Sequence, residues 1–357
     1  MIFSLLTACA PSHGAAYDRA FAEAARAESA GRLAEAVADF DRAAASAIRQ
    51  RDRDQARWGA AQVMERSGPM AAALARLEAI AADGTSEHQP EAAYRAAVLR
   101  IDHGDTDRGW ADLERVPRRF PSSGVGHVAV RRLVAHADEK GPEGAFAELH
   151  ALAHDLAGTE LEELVAFSTA QHLEARGDDD AARGAYVHIA DRWPYPYGAF
   201  FDDALWRASL LDEKLGRYQV AVDELERMVA QRETTTLVGS YERAKYVPAM
   251  LRIGELYRDR LHDHARARDA FHRLYAGFAH STRRDDALWL EADLWRQDGD
   301  AGKACDRLAT LVQDFPDSRY VPCATGQCAG LERPAGSGAP KECRPYITRE
   351  GWEPKAE

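Results

Sequence analysis

The stretch Gly31-Arg32-Leu33-Ala34-Glu35-Ala36-Val37-Ala38-Asp39-Phe40-Asp41-Arg42-Ala43 decides the fold. Gly31-Arg32 predicts a tight turn, and the helix after it sets Ala36, Phe40 and Ala43 on one face, the i, i+4, i+7 spacing of a buried stripe. The arrangement recurs down most of the chain. Turn residues fall at Gly31, Gly68, Gly104, Gly141, Gly177, Gly216, His262 and Gly299, in steps of 37, 36, 37, 36, 39, 46 and 37 residues. A self-similar period in this range marks a helical solenoid, in which each unit buries its apolar face only by stacking on its neighbours.

The bulk composition agrees. Of the 357 residues, 46% are hydrophobic, many of them alanine, which favours helix and lets helices approach closely. The 15 prolines and 26 glycines cluster at turns, and no long alternating β-branched run predicts a sheet. A formal charge of −12 argues against nucleic acid as a partner, because phosphate binding needs a basic face. The cluster Arg49-Gln50-Arg51-Asp52-Arg53 is diluted by acid and reads as a solvated helix end. No run of about 18 apolar residues predicts a membrane-spanning helix.

Around Gly31 a small residue stands seven before the turn, alanine five after, a large apolar residue nine after and another apolar residue twelve after. These are Ala24, Ala36, Phe40 and Ala43. This pattern resembles the tetratricopeptide repeat. The resemblance implies that the small residues sit where two helices of a hairpin cross, and that the large one fills the wedge between hairpins. The sets Ala61, Ala73, Leu77, Ile80 and Ala97, Gly109, Leu113, Val116 keep the register around Gly68 and Gly104. So do Ala170, Ala182, Tyr186, Ile189 around Gly177, and Ser209, Ala221, Leu225, Met228 around Gly216. Around Gly299 the set is Ala292, Ala304, Leu308 and Leu311. Pro121, Pro194 and Pro316 fall at the family's closing proline. Two repeats depart from the pattern. After Gly141 the stripe Ala145, Leu149, Leu152 comes one residue early, and Ala267, Phe271, Leu274 place the seventh turn near His262 without a glycine. The 46-residue step reads as an inserted loop over Gln231–Gly239.

The fold expected is all-α, a right-handed superhelical solenoid of about eight tetratricopeptide hairpins. Residues 15–318 form the solenoid, 319–330 a capping helix and 331–357 an irregular, proline- and glycine-rich tail. The joints Phe120-Pro121-Ser122-Ser123 and Phe315-Pro316-Asp317-Ser318-Arg319-Tyr320 look like those of bacterial envelope tetratricopeptide lipoproteins. The pentapeptide Asp-Asp-Ala-Leu-Trp also occurs twice, at 202–206 and 285–289. In style the chain is similar to outer-membrane lipoproteins that support barrel assembly or coordinate wall synthesis with division.

Leu6-Thr7-Ala8-Cys9 resembles a bacterial lipobox, whose cysteine carries the lipid. Only a short apolar run without Lys or Arg precedes it, so this reading puts the true start upstream of Met1. Residues 1–14 would then be the end of a signal and a tether. Ala10, not aspartate, after Cys9 implies outer-membrane sorting with the chain on the periplasmic face. The alternative is a cytosolic adaptor without lipid.

Little in the chain reads as chemistry. His262-Asp263-His264 is the densest histidine group, but no His-Glu-x-x-His and no Cys-x-x-Cys accompanies it, so it reads as turn polarity and no metal is expected. Asp178-Asp179-Asp180 and the pairs Asp202-Asp203 and Asp285-Asp286 read as helix-start carboxylates. There is no Gly-x-Ser-x-Gly, phosphate loop or Gly-x-Gly-x-x-Gly, so neither cofactor nor small-molecule substrate is expected. An enzyme of envelope polysaccharide, such as a lytic transglycosylase, would need a catalytic domain larger than the 41 residues after Pro316. Trp58, Trp110, Trp193, Trp206, Trp289 and Trp295 read as core wedges, with the equivalent pair Trp206 and Trp289 as candidate anchors for a partner protein.

With Cys9 assigned to lipid, Cys305, Cys323, Cys328 and Cys343 remain, an even number at one end, which suits two disulfides in an oxidising compartment. Counting outward from the turn at Pro316-Asp317-Ser318 sets residue 314 near 319 and 305 near 328. Cys323 and Cys328 are five apart on different faces of a helix. The pairing expected is Cys305 with Cys328 and Cys323 with Cys343, pinning the tail over the open apolar end of the solenoid. The function expected is non-catalytic: a lipid-anchored scaffold that grips another envelope protein in a groove lined by the first helices.

Overall fold

A computed structural model of the chain describes residues 13–231 and 244–343. Cys9 and all but the first residue of the Gln231–Gly239 insertion lie outside the described residues. Within them there are seventeen α-helices and no strand. The first hairpins are α1 (Ala15–Ser29) with α2 (Leu33–Ser46), α3 (Gln50–Ser67) with α4 (Met70–Ala82), and α5 (Gln89–Asp102) with α6 (Thr106–Arg119). Next come α7 (Gly124–Glu139) with α8 (Pro142–Asp155), and α9 (Glu162–Ala175) with α10 (Asp179–Arg192). Then follow α11 (Phe201–Lys214) with α12 (Tyr218–Val229), α13 (Tyr246–Asp259) with α14 (His264–Gly277), and α15 (Arg284–Gln297) with α16 (Ala301–Asp314). A short α17 (Val321–Gln327) closes the series, two residues shorter at its start and three at its end than the expected 319–330.

The chain forms two compact units, residues 1–172 and 173–357. From α1 to α8 each helix packs on the next, and the same holds from α10 to α17. Contacts this local are what a stack of repeats produces, because each hairpin touches only its neighbours.

The turns follow from glycine. Gly31, Gly104, Gly177, Gly216 and Gly299 all take positive φ, between 75° and 93°. In each case the next amide bonds back five residues, as Arg32 N does to Ala27 O at 2.9 Å. That is the Schellman closure of a helix, which needs a left-handed residue. His262 adopts the same region with φ 53°, the sole non-glycine residue to do so among those described. Here the turn is one residue longer, and Asp263 N reaches back to Tyr257 O at 2.8 Å.

Two turns depart for a reason visible in the chain. Gly68 has φ −101° and ψ 176°, an extended conformation, because Pro69 follows and bars the helical regions to the residue before it. At Gly141 the next residue, Pro142, occupies the first helical position, so Gly141 itself is the N-cap. Elsewhere the residue after glycine is the cap, as Arg32 is for α2. The stripe of α8 therefore begins one residue sooner.

The stripe residues are the core. Ala24, Ala36, Ala61, Ala97, Ala170, Ala182, Ala221 and Ala267 are fully buried, with Leu77, Leu113, Tyr186, Leu225 and Phe271 beside them. A β-carbon on Gly109 would lie 2.8 Å from the backbone nitrogen of Ile101 and 3.0 Å from the Ala97 carbonyl, so α5 and α6 cross at backbone contact. The ring of Phe40 lies against Gly59 of the following hairpin, where an added β-carbon would stand 2.8 Å from it.

Candidate partner-binding surfaces

The two equivalent tryptophans are differently placed. Trp206 is buried in the core with Phe201, Leu205 and Tyr246, so it has no exposed face for a partner. Trp289 is half-buried, and its ring stacks on Tyr320 at 4.8 Å between centroids and 8° between planes. Both are thus engaged by the fold. Of the six tryptophans expected in the core only Trp58 and Trp206 are buried. The others are half-buried at the surface, Trp110 stacked on His136 at 3.7 Å and Trp295 under Arg268 at 3.8 Å and Lys303 at 4.3 Å.

The paired aspartates do more than start helices. Asp285 accepts a hydrogen bond from Ser318 Oγ at 2.6 Å, and the buried Asp286 accepts from Tyr320 Oη and from Arg319 Nη2, both at 2.7 Å. Arg283 completes the set around Asp286 at 3.0 Å. The Asp-Asp-Ala-Leu-Trp start of one helix is therefore the receptor for the Phe-Pro-Asp-Ser-Arg-Tyr joint that follows. At the earlier copy Asp203 pairs with Lys245, the residue before α13. The joint also has a third form, Phe278-Ala-His-Ser281, in which Ser281 N bonds Phe278 O at 2.9 Å, as Ser318 N does Phe315 O. Lacking the proline, it escaped the sequence reading.

Similar corrections apply elsewhere. Asp178 makes no side-chain cap, Asp179 bonds Lys214 Nζ at 2.7 Å, and Asp180 bonds Arg217 at 2.6 Å, linking α10 to the next hairpin. In the cluster at 49–53 the buried Asp52 takes Arg49 through both oxygens, at 2.6 and 2.7 Å. This pairing, with His13 beside it, holds the Asp52 carboxyl below its usual range. At the seventh turn Asp263 caps α14 through Arg266 N at 3.0 Å, and His264 Nδ1 meets Asp298 at 2.6 Å. No group of three metal-ligating side chains occurs among the described residues. No helix among them is long and apolar enough to cross a membrane.

At the C-terminal end two disulfides hold α17. Cys305 of α16 joins Cys328, with 5.7 Å between α-carbons, and Cys323 of α17 joins Cys343, with 4.7 Å. Tyr320, Val321, Ala324 and Cys328 pack on Leu288, Leu308 and Leu311, and Ala339 of the tail is buried with them. Asp317 Oδ1 accepts from Gly338 N at 2.5 Å, so the segment 330–343 folds back over the end of the stack.

In the first unit a cleft of about 270 Å³ opens between α4 and α6 over α5. Its polar lining is Glu78, Arg100, Arg108, Asp112, Arg115 and Arg119, and its apolar wall includes Ala93, Ala96, Val116 and Phe120. Arg100 is buried, bonding Glu78 and, at 2.5 Å, Asp112. Asp112 also accepts from Arg115 at 2.6 Å.

A family model of the tetratricopeptide repeat matches residues 248–281 and 286–318, which are the seventh and eighth hairpins. These two hairpins are tetratricopeptide repeats. No curated protein matches it. Solved structures align weakly. MamA from Desulfovibrio magneticus RS-1 is 15% identical over 52% of this chain and 93% of its own, with a TM-score of 0.34. PilF of Pseudomonas aeruginosa is 16% identical over 64% and 93%, at 0.35. PilW, a type IV pilus biogenesis factor, is 14% identical over 65% and 96%, also at 0.35. At these scores the likeness carries no inference about function.

The tetratricopeptide pattern marks core positions, so it was blind to the cleft. Arg108, Arg115 and Arg119 recur at helical spacing between Gly109, Leu113 and Val116, and that basic stripe in an acidic chain was the available signal.

Proposed function

We propose that the protein is a non-catalytic scaffold that binds another protein of the cell envelope. The observation that carries this reading is the repeat register. The apolar stripe of each hairpin is consumed in the stack, and within each unit the polar faces of successive helices are left for a partner. Tetratricopeptide repeats are protein-interaction modules, and first helices supply the groove in which an extended segment or helix is held.

In this reading Cys9 carries lipid and anchors the chain at the outer membrane, facing the periplasm. The disulfides support it, because two bonds tying the end of a small-residue helical stack suit an oxidising compartment and not a reducing one. Two experiments test it. Radioactive fatty acid fed to the native host should label the protein and not its Cys9→Ser variant; label on the variant refutes the anchor. Crosslinking in intact envelopes should then trap the scaffold with a defined protein, and protein recovered only with cytosolic partners and four free thiols overturns the assignment.

A further inference from the structure

We propose that the cleft between the second helices α4 and α6 takes an acidic segment of the partner protein that carries an aromatic or other large apolar side chain. The inference rests on the scaffold reading and names one of its contact sites, on second helices and not on the first-helix groove.

Charge is the first argument. Four arginines line the cleft against two carboxylates, in a chain whose formal charge is −12. Both carboxylates are already engaged, Glu78 by Arg100 and Asp112 by Arg100 and Arg115. Arg108 and Arg119 form no ion pair among the described residues. The Arg119 guanidinium lies 5.0 Å from the centre of the Phe120 ring, a position that leaves its donors open to a carboxylate. Several other arginines of this protein find a carboxylate one repeat away, as Arg76 finds Asp41 at 2.7 Å. Asp105, 3.7 Å from Arg100, adds a third carboxylate beside the four arginines, so a net positive charge remains at the cleft and would steer an acidic segment to it.

Shape supplies the second argument. A volume of about 270 Å³ falls below the ~300–1,000 Å³ of small-molecule sites. It suits one or two side chains of an extended segment. Phe120, Val116 and the alanines of α4 and α5 form an apolar wall for a ring, and Arg108 and Arg119 stand where flanking carboxylates would be held by charge-assisted hydrogen bonds.

The test uses the whole protein and a fluorescein-labelled peptide of glutamate and aspartate around a single phenylalanine, followed by anisotropy. Its glutamine and asparagine analogue is the control. The acidic peptide should bind on the order of tenfold more tightly than the analogue, and more weakly as salt rises. Arg108→Glu with Arg119→Glu, both exposed and outside the core, should abolish that preference without changing the melting temperature. Arg32→Glu with Arg51→Glu, the same charge change elsewhere, should leave it intact. Equal binding of the two peptides, or an unaltered preference in the Arg108/Arg119 variant, overturns the proposal. Displacement of the peptide by an equal concentration of inorganic phosphate overturns it too, by making the cleft a small-anion site. Crosslinking to envelope partners that persists in the Arg108/Arg119 variant would leave the scaffold reading standing with its contact elsewhere.

Discussion

Tyr320, the residue before the capping helix, donates its Oη to Asp286 Oδ1 at 2.7 Å, and both groups are buried. Asp286 opens the first helix of the last hairpin, so this bond ties the cap to the repeat it covers. A buried hydrogen bond to a charged group contributes about 1.5–3 kcal/mol. Tyr320→Phe should therefore lower stability by about that amount, while Arg283 and Arg319 still hold the aspartate. Hydrogen exchange of α15 and α17 reads the loss locally, and unchanged protection there would show that the bond contributes nothing.

The same phenol should sense alkaline pH. Burial, and then Asp286, pushes Tyr320 far above its ordinary range, and burial with Glu174 does the same for Tyr186, whose Oη donates to Glu174 at 2.7 Å. A raised folded pKa means that the unfolded chain loses its proton first, near pH 10. The stabilisation is complete below that pH and is lost as pH rises beyond it. Urea midpoints should fall above about pH 10, less steeply in Tyr320→Phe. A midpoint that stays flat across that window in the native sequence would contradict the assignment.

Reduction should loosen one end only. Cys305–Cys328 closes a separation of 23 residues and Cys323–Cys343 one of 20, and loops of this size give about 3 kcal/mol each in the chain-entropy account. With a reductant, α17 and the segment 330–343 should become open to protease while α1–α8 are unaffected. Equal cleavage in both states would mean that packing of Val321 and Ala324 holds the cap without the bonds.

His262 should be improvable. It holds φ 53° in a turn where six other repeats place a glycine at positive φ. A left-handed conformation costs an L-residue about 1–2 kcal/mol, part of which glycine returns as unfolded-state entropy. His262→Gly should raise stability by about 0.5–1 kcal/mol. A lower melting temperature would show that the imidazole makes a contact worth more than the strain.

Gly254 should tolerate nothing larger. A β-carbon there would collide with the ring of the fully buried Phe271, on the facing helix of its hairpin. Overpacking of this kind costs about 1–3 kcal/mol, so Gly254→Ala should be clearly destabilising. Gly254→Ala with Phe271→Leu should recover part of the loss, and a double variant worse than the single would sink this explanation.

Much of the fold was legible because its determinants are local. Helical period, a left-handed turn residue and a small side chain at each crossing are set within about 20 residues, so Ala36, Phe40 and Ala43 could be placed in the core from spacing alone. Even the early stripe after Gly141 has a neighbour as its cause, Pro142 at the first helical position. The cysteine pairing was within reach for the same reason: one antiparallel turn relates 305 to 328, and the structure carries that bond together with Cys323–Cys343.

What the tertiary structure decided is where the charges go. Asp179 meets Lys214, Asp285 meets Ser318, Asp286 meets Tyr320 and Asp41 meets Arg76 across 33 to 35 residues, one repeat along the chain. A carboxylate at a helix start reads the same from sequence whether it caps its own amides or receives the next hairpin, because the competing partner is brought near only by stacking. For the same reason Trp206 and Trp289 look equivalent in sequence, yet one is sealed in the core and the other lies under the cap. The cleft of Arg108 and Arg119 likewise exists only once α4 and α6 both pack on α5, since spacing along a helix fixes a face but not what faces it.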